Sequence, residues 1–273
     1  MIKKIKTRVE KLMKHGRFRL SSNNNPLFIG YYKYFYRPKK GSISEFIHEY
    51  SLSKGDSFFV IQIGANDGIN NDPIHKFIKR DSWKGVLLEP QSYVHKQYLS
   101  QVYKKNKGIH TLNAAISSEN GSQKLYKIGF CDMRWATGLA SFQRESLEKA
   151  FSSGQVEGNC RKYNVEIPTA DEQIVTEDIM TISPETLIEK YKISKIDLLQ
   201  IDTEGYDYEV IKIFNIEKFK PKVVIFENKH LSEKDLKECC EHFIKNSYAV
   251  KNFGRDTIAM QYPLESFEKF FVN

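Results

Sequence analysis

The sequence predicts an α/β fold: a mostly parallel sheet with helices on both faces and one antiparallel edge. Three observations carry this. The apolar run Phe58-Phe59-Val60-Ile61-Gln62-Ile63 stops at a glycine-flanked polar turn, Gly64-Ala65-Asn66-Asp67-Gly68. The same logic recurs at Ile196 to Ile201, which stops at Asp202-Thr203-Glu204-Gly205. Near-continuous apolar runs of this length are how strands buried on both faces of a parallel sheet read. From about residue 43 onward, such runs alternate with segments of helical spacing, the pattern of βαβ units.

The elements follow in order. Residues 43–52 read as a helix, and 58–63 as the first strand. Asp72 is placed to cap the next helix, with Pro73 at the first helical position, where a missing N–H costs nothing. The strand over 85–89 ends at Glu89-Pro90, and a helix near 92–104 leads to a strand over 109–116. A turn at Asn120-Gly121-Ser122 precedes a short strand over 123–128. Residues 129–170, with Gly129, Gly138, Gly154, Gly158 and Pro168, read as irregular. A segment of that length inside a compact domain is usually functional or mobile. A strand near 173–179 precedes a helix opened by Ser183-Pro184. The strand over 196–202 leads to a helix from about 206, and the strand over 222–227 closes on Glu227-Asn228. Ser232-Glu233-Lys234-Asp235 is a near match to a capping box, so a helix opens at Ser232. Strands near 247–253 and 256–262, joined by Gly254-Arg255, read as a hairpin and make that sheet edge antiparallel.

The net charge of +8 is an average over two unlike parts. Residues 1–40 hold 12 Lys/Arg against Glu10 alone, whereas the remaining 233 residues carry 30 basic and 33 acidic groups. The chain therefore divides into a basic N-terminal extension, 1–42, and one domain, 43–273. A nearly neutral body argues against a duplex-binding surface, and no nucleic-acid partner is expected. Ile2, Ile5, Val9, Leu12 and Met13 recur at helical spacing among lysines and arginines. This basic amphipathic helix either packs on the body, trails as a solvated tail, attaches residues 1–20 to an anionic membrane surface, or makes a loose nucleic-acid contact. The four cysteines show no disulfide or metal spacing, no apolar block resembles a signal peptide, and no run approaches the ~18 apolar residues of a spanning helix. The expected setting is cytoplasmic, with a peripheral membrane contact if the arm supplies one.

Ligands of open α/β sheets bind beyond the carboxyl ends of the strands. The Gly64–Gly68 turn lets the backbone approach a ligand closely. It is not the G-x-G-x-x-G pattern of dinucleotide binding, and Asp67 would repel a pyrophosphate. A smaller cofactor with a cationic or zwitterionic end suits an acidic turn better; the plainer reading is a tight strand–helix connection. Glu89, at the end of the second strand, is placed to accept hydrogen bonds from both hydroxyls of a ribose. Asn113 and Ala114 are placed to line an adenine pocket. Asp202 with Glu204, and Glu227 with Asn228, should converge over the crevice. Carboxylates there orient a cationic ligand, act as a base, hold Mg²⁺ or simply cap helices. His75 and His230 have a useful pKa for proton removal, although a lone histidine is more often structural.

Taken together, these segments resemble a class I S-adenosylmethionine-dependent methyltransferase, and more narrowly the FkbM family. The resemblance is carried by Ile63–Gly68 with Asp72-Pro73, Trp83–Pro90, Asn113–Ile116, Thr137–Phe142, Ile201-Asp202-Thr203-Glu204-Gly205-Tyr206-Asp207 and Phe226–Leu231. It covers roughly residues 45–265. It implies a Rossmann-like seven-stranded sheet and methyl transfer to a hydroxyl, often on sugars of surface glycans or on natural products. Gln62 and the turn residues Gly64, Ala65, Asn66, Asp67 and Gly68 would surround the methionine part of the cofactor. Glu89 would hold the ribose, Asn113 and Ala114 would border the adenine, and Asp202 would face the methionine end. Gln62 stands where many class I enzymes have an acid, and Asn66 where they have a glycine, which leaves Asp67 or Asp202 to pair with the methionine amine. The acceptor would be a glycan or another small hydroxyl compound.

A sugar hydroxyl has a high pKa, so a base or a metal should assist. Either Glu227 or His230 removes the proton near Asp202, or Asp202, Glu227 and Asn228 hold Mg²⁺. Arg134, Trp135 and Arg161 would cover the acceptor, with Trp135 stacked on a sugar face or simply packed. Two rival readings are a dinucleotide-dependent oxidoreductase, which the missing glycine pattern disfavours, and a non-catalytic scaffold, which the presence of Glu89 and Asp202 disfavours.

Overall fold

The computed structural model describes residues 2–272, without the side chains of residues 2–11 and Asp56. Helix α1 spans Ile2–Ser22. Of its apolar positions, the side chains of Ile2, Ile5 and Val9 lie outside the described residues, and Leu12 and Met13 are exposed. Asn25 follows the break; its Oδ1 accepts from the N–H groups of Leu27 and Phe28 and opens α2, Pro26–Gly30. That helix continues as a π-helical turn, Tyr31–Phe35. Helix α3, Ile43–Lys54, is capped by Ser42, and β1 spans Phe59–Ile63. The Asp72 carboxylate accepts from the N–H groups of Ile74 and His75, so α4 starts just past Pro73 and spans His75–Asp81. Strand β2, Lys84–Leu88, is followed by a helical run of α5 (Ser92–Val94), a π-helical turn (His95–Leu99) and α6 (Ser100–Tyr103).

The single strand expected over 109–116 divides. Strand β3, Ile109–Leu112, stays in the main sheet, while β4, Ala115–Ile116, enters a second sheet. Asn113 causes the break: its Nδ2 donates to the carbonyls of Glu89 and Pro90, tying the chain to the end of β2 instead of extending the ladder. The second sheet has the order β4-β6-β5, with β5 spanning Gly121–Ile128 and β6 spanning Ile174–Ile182. Between them, the stretch expected to be irregular holds α7 (Arg134–Thr137), α8 (Arg144–Ser152), α9 (Gln155–Tyr163) and α10 (Ala170–Gln173). Helices α7, α8 and α9 and strand β5 share a small apolar cluster of Ile128, Ala136, Leu147, Ala150, Val156 and Cys160. Each of the three helices gives it only one or two residues, and their composition is mostly polar.

The remaining elements are α11 (Pro184–Lys190), β7 (Leu198–Ile201), α12 (Asp207–Phe214), α13 (Ile216–Phe219), β8 (Val223–Glu227), α14 (Glu233–Lys245), β9 (Tyr248–Asn252) and β10 (Asp256–Gln261). Ser183 and Ser232 cap α11 and α14 through the N–H groups of Thr186 and Asp235. The main sheet has seven strands in the order β3-β2-β1-β7-β8-β10-β9. Only β10 runs against its neighbours, so the reversed strand is the inner member of the final hairpin. The order turns around between β1 and β7, which makes that point the crevice of the sheet.

Side chains alternate across the sheet. Val60, Leu198, Val223, Ile225, Ile258 and Met260 face a core with Phe46, Tyr50, Phe77, Trp83 and Phe267. Ile61, Ile63, Leu199, Ile201, Val224 and Phe226 face the opposite core, with Phe214 and Phe243. The end of α1 is fixed to the first of these layers. Buried Lys79 donates to Ser21 O, Asn24 Oδ1, Val102 O and Asn106 Oδ1 at 2.6–3.1 Å, and burial lowers its pKa to about 7. His75, fully buried, lies 3.3 Å from both Ser21 Oγ and Tyr103 Oη, which makes it a structural histidine. Among the described residues, no helix is long and apolar enough to cross a membrane.

Candidate active site

Strands β1 and β7 pair in register, Ile63 beside Ile201, so the turns that follow them leave the sheet side by side. Gly64 sits at φ +80°, and a Cβ there would come within 1.9 Å of the Asp202 carbonyl oxygen. Only glycine allows this approach. Asn66 adopts φ +45°, a left-handed conformation that asparagine tolerates better than most residues. Asp67 closes the turn on itself: Oδ1 accepts from the N–H groups of Ile69 and Asn70, and Oδ2 from Asn70 Nδ2 at 2.7 Å. Glu89 reaches in from β2. Its Oε2 accepts from the Asn66 N–H at 2.9 Å, and its Oε1 from the Gln91 N–H and side-chain amide. Burial raises its pKa to about 7 against these hydrogen bonds.

A pocket opens over this turn. Gly64, Asn66 and Glu89 form one side, Ala114, Ile116, Leu125 and Phe142 an apolar wall, and Asp202 and Glu204 the far end. Helix α7 covers it with Arg134, Thr137 and Gly138. Gln91 Nε2 donates to the Thr137 carbonyl at 2.9 Å, and the Thr137 hydroxyl donates weakly to Asn66 Oδ1 at 3.4 Å, so α7 is pinned to the turn.

A second, more polar pocket adjoins the first and shares Arg134, Gly138, Asp202 and Glu204 with it. Strand alternation builds its floor. Gln62, Gln200, Glu227 and Asp256 continue the same face as Val60, Leu198, Ile225 and Ile258, but at the strand ends, where the apolar core stops. Gln200, Glu227 and Asp256 line the pocket with Trp135, Lys229 and Arg255. Gln62 lies beside Gln200 in register and donates to Asp72 at 3.3 Å. Gln62 Oε1, Gln200 Oε1, Glu227 Oε2, Arg134 Nε and Trp135 Nε1 are buried and meet no hydrogen-bond partner among the described residues. Such groups cost about 1–3 kcal/mol each until something pairs with them.

The carboxyls here crowd one another. Burial, then the charges of Asp202, Glu204 and Asp207, raise the pKa of Glu227 to about 8. Burial and Asp202 bring Glu204 and Asp207 to about 7, and burial raises Asp202 against the pull of Arg134 and Lys229. Asp256 reaches about 6, by burial first and Asp202 second. Asp207 is the keystone. It is fully buried and accepts from the Thr203 N–H and hydroxyl, the Gly205 N–H and the Glu227 N–H, locking the turn after β7 to the end of β8. His230 Nε2 lies 3.3 Å from Glu204 and 3.7 Å from Glu227. The same nitrogen accepts from Lys229 Nζ at 2.8 Å, and burial, then the charge of Lys229, lower the pKa of His230.

The structure gathers most of the residues singled out from sequence: Gly64, Ala65, Asn66, Asp67, Gly68 and Glu89 around the first turn, Ala114 in the apolar wall, Asp202 at the junction, and Glu227 and His230 beside it. Asn113 is not among the pocket-lining residues; it supports Glu89 and Pro90 through their carbonyls. Asn228 is buried and donates to Thr257 Oγ1. Arg134 and Trp135 line the second pocket, but Arg161 is a surface residue that pairs with Glu157 away from it. Sequence reading missed Gln91, Gln200 and Asp256, and gave Thr137 and Asp207 no role of their own. For Gln200 and Asp256 the signal was available, because both keep the two-residue alternation of their strands while breaking its apolar character.

Among the described residues, the His, Cys, Asp and Glu side chains close enough to share a metal ion are Glu204, Glu227 and His230, within 4.8 Å of one another. Asp202 is not in that group.

A seven-stranded sheet with this order, a turn-and-acid site at its switch point and an apolar wall beside it define a Rossmann-like methyltransferase of class I. The family described as the methyltransferase FkbM domain matches residues 62–249, and the chain belongs to that family. Three solved structures show likeness at low identity. Methyltransferase FkbM from Methylobacillus flagellatus KT is 13% identical with a TM-score of 0.44, over 80% of this chain and 50% of that one. Precorrin-6y C5,15-methyltransferase from Geobacter metallireducens GS-15 is 12% identical with a TM-score of 0.38, over 83% and 94%. A human methyltransferase 10 domain containing protein is 10% identical with a TM-score of 0.40, over 83% and 85%. The chain thus spans about half the length of the first of these. No curated protein sequence matches it.

Proposed function

We propose that the protein is an S-adenosylmethionine-dependent O-methyltransferase that acts on a sugar hydroxyl of a surface glycan or its precursor. One observation carries the reading: an apolar, acid-ended pocket and a polar pocket share a border at Asp202 and Glu204, with a carboxyl of raised pKa, Glu227, on the polar side. The cofactor supplies an electrophilic sulfonium methyl group. Glu89 would hold its ribose, the Gly64–Asn66 backbone its methionine part, and Ala114 and Phe142 would flank its adenine. Asp67 uses both oxygens within its own turn, which favours Asp202 as the partner of the methionine amine.

On the acceptor side, Glu227 takes the hydroxyl proton. A pKa near 8 makes it a stronger base than an ordinary carboxylate at the pH where it works. His230, with Nε2 3.7 Å from Glu227, would offer the proton a way out. Gln200, in the lining of the second pocket, carries an unpaired amide oxygen suited to a hydroxyl of a polyol. Trp135 presents a ring to a sugar face. A metal-assisted version, with Mg²⁺ on Asp202, Glu227 and Asn228, predicts loss of turnover in EDTA; undiminished turnover rules it out. The Glu204, Glu227 and His230 set suits a transition ion better than Mg²⁺. The four free cysteines support a cytoplasmic setting.

The test has two stages. Equilibrium binding should show S-adenosylmethionine, and not NAD, taken up by the protein; the reverse would make it an oxidoreductase. A panel of nucleotide sugars and short glycans, read by mass spectrometry, should then show a 14-dalton (CH₂) gain on one member, roughly the mass any O-methylation adds.

A further inference from the structure

The segment that follows α1 carries an apolar face turned away from the body. Leu27, Tyr31, Tyr34 and Phe35 stand at i, i+4, i+7 and i+8 of one helical stretch, and so share a side. They are 85%, 55%, 62% and 74% exposed. The other side does the packing: Tyr32 is buried, edge-on to Phe28 and to His75. Tyr31 and Phe35 stack on each other at 6.5 Å, which makes the outer stripe one continuous surface. Exposed Lys33, Arg37, Lys39 and Lys40 stand along or just after it, and no acidic residue occurs from Pro26 to Ile43.

An aromatic stripe followed by a run of cations, with Glu45 turned back onto the Gly41 N–H beyond them, is what an anionic bilayer surface selects. Tyr and Phe rings partition to the headgroup boundary, and each nearby cation gains from the surface potential. A protein interface would favour some acidic or neutral polar groups in the rim. We infer that Leu27, Tyr31, Tyr34 and Phe35 form a docking face for an anionic membrane surface, held to the body by Tyr32 against His75 and supplemented by the basic helix α1. The inference is independent of the methyl-transfer reading.

The full chain should float with vesicles of 30% phosphatidylglycerol in phosphatidylcholine, chosen as roughly a third anionic lipid, and not with phosphatidylcholine alone. Binding should weaken as salt shortens the screening length. Leu27→Ser with Phe35→Ser should cut partitioning at least about ten-fold, and Lys39→Ala with Lys40→Ala about five-fold per charge. S-adenosylmethionine affinity should stay unchanged in both variants, which reports that they are folded; if the wild type does not bind the cofactor, an unchanged thermal midpoint does the same. Equal binding to neutral vesicles overturns the inference. So does undiminished binding of the Leu27/Phe35 variant, which would leave the basic arm alone responsible. A dimer in solution that this variant dissociates would show that a second copy covers the stripe, and would also overturn it.

Discussion

The turn after β1 and the carboxyl cluster after β7 and β8 sit side by side and treat their polar groups in opposite ways. In the turn, Asp67 and Glu89 each accept three hydrogen bonds from their surroundings. In the cluster, Glu227 Oε2 and Gln200 Oε1 accept none among the described residues, and burial, then the charge of Asp202, raise the pKa of Glu204, Asp207 and Glu227. The first region is finished as a structure. The second holds unmet polar capacity that a ligand would satisfy, and it is where chemistry is expected. Asp207 is the exception that joins them, a cluster carboxyl spent on four structural contacts.

This contrast can be broken by substitution. Glu227→Gln should lower turnover by about 10²- to 10⁴-fold, the range of a lost general base, while the thermal midpoint stays level or rises because folding no longer has to suppress the ionisation of a carboxyl whose pKa it raises to about 8. A matching fall in stability would mean that Glu227 is structural. Gly64→Ala should do the converse, costing roughly 3 kcal/mol in urea unfolding from backbone strain and the clash with the Asp202 carbonyl. A variant that folds normally would refute the close approach of the two strand ends.

The pH dependence sharpens the comparison. A base must be deprotonated, so the rate should rise with pH and level off above about 8. Stability should run the other way. Glu227 has a folded pKa raised from 4.5 to about 8, so it binds its proton more tightly in the folded chain. Its contribution is fully present below about 4.5 and is lost as pH rises through about 8. Urea midpoints across that window should fall less steeply in Glu227→Gln than in the wild type; equal slopes would remove Glu227 as the cause. The smallest effect belongs to the finished region. Asn113→Ala should cost about 1 kcal/mol through the two lost carbonyl contacts, with the cofactor affinity lowered only through the shifted Glu89-Pro90 backbone.

The strand ends were legible because buried strands announce themselves as apolar runs and their turns as glycine and acid. Caps at Asp72, Ser183 and Ser232 were legible for a similar reason: capping is local chemistry. What the sequence hid was non-local. Strands β5 and β6 pair across some fifty residues, and nothing in either says which partner it will take. Helices α7 to α9 bury one or two residues each in a satellite cluster, too faint a period to read through Gly154 and Gly158. Gln91 and Thr137 meet only because α7 lies over the turn.

The meeting of Gly64 with the Asp202 carbonyl also separates what this chain can change from what it cannot. That seam is main chain against main chain, and no exchange of side chains retunes it. The face opposite is made of Gln200, Trp135, Lys229 and Asp256, each alterable one at a time without opening the seam. Under the proposed assignment, the cofactor side would rest on that fixed seam and the acceptor side on exchangeable side chains.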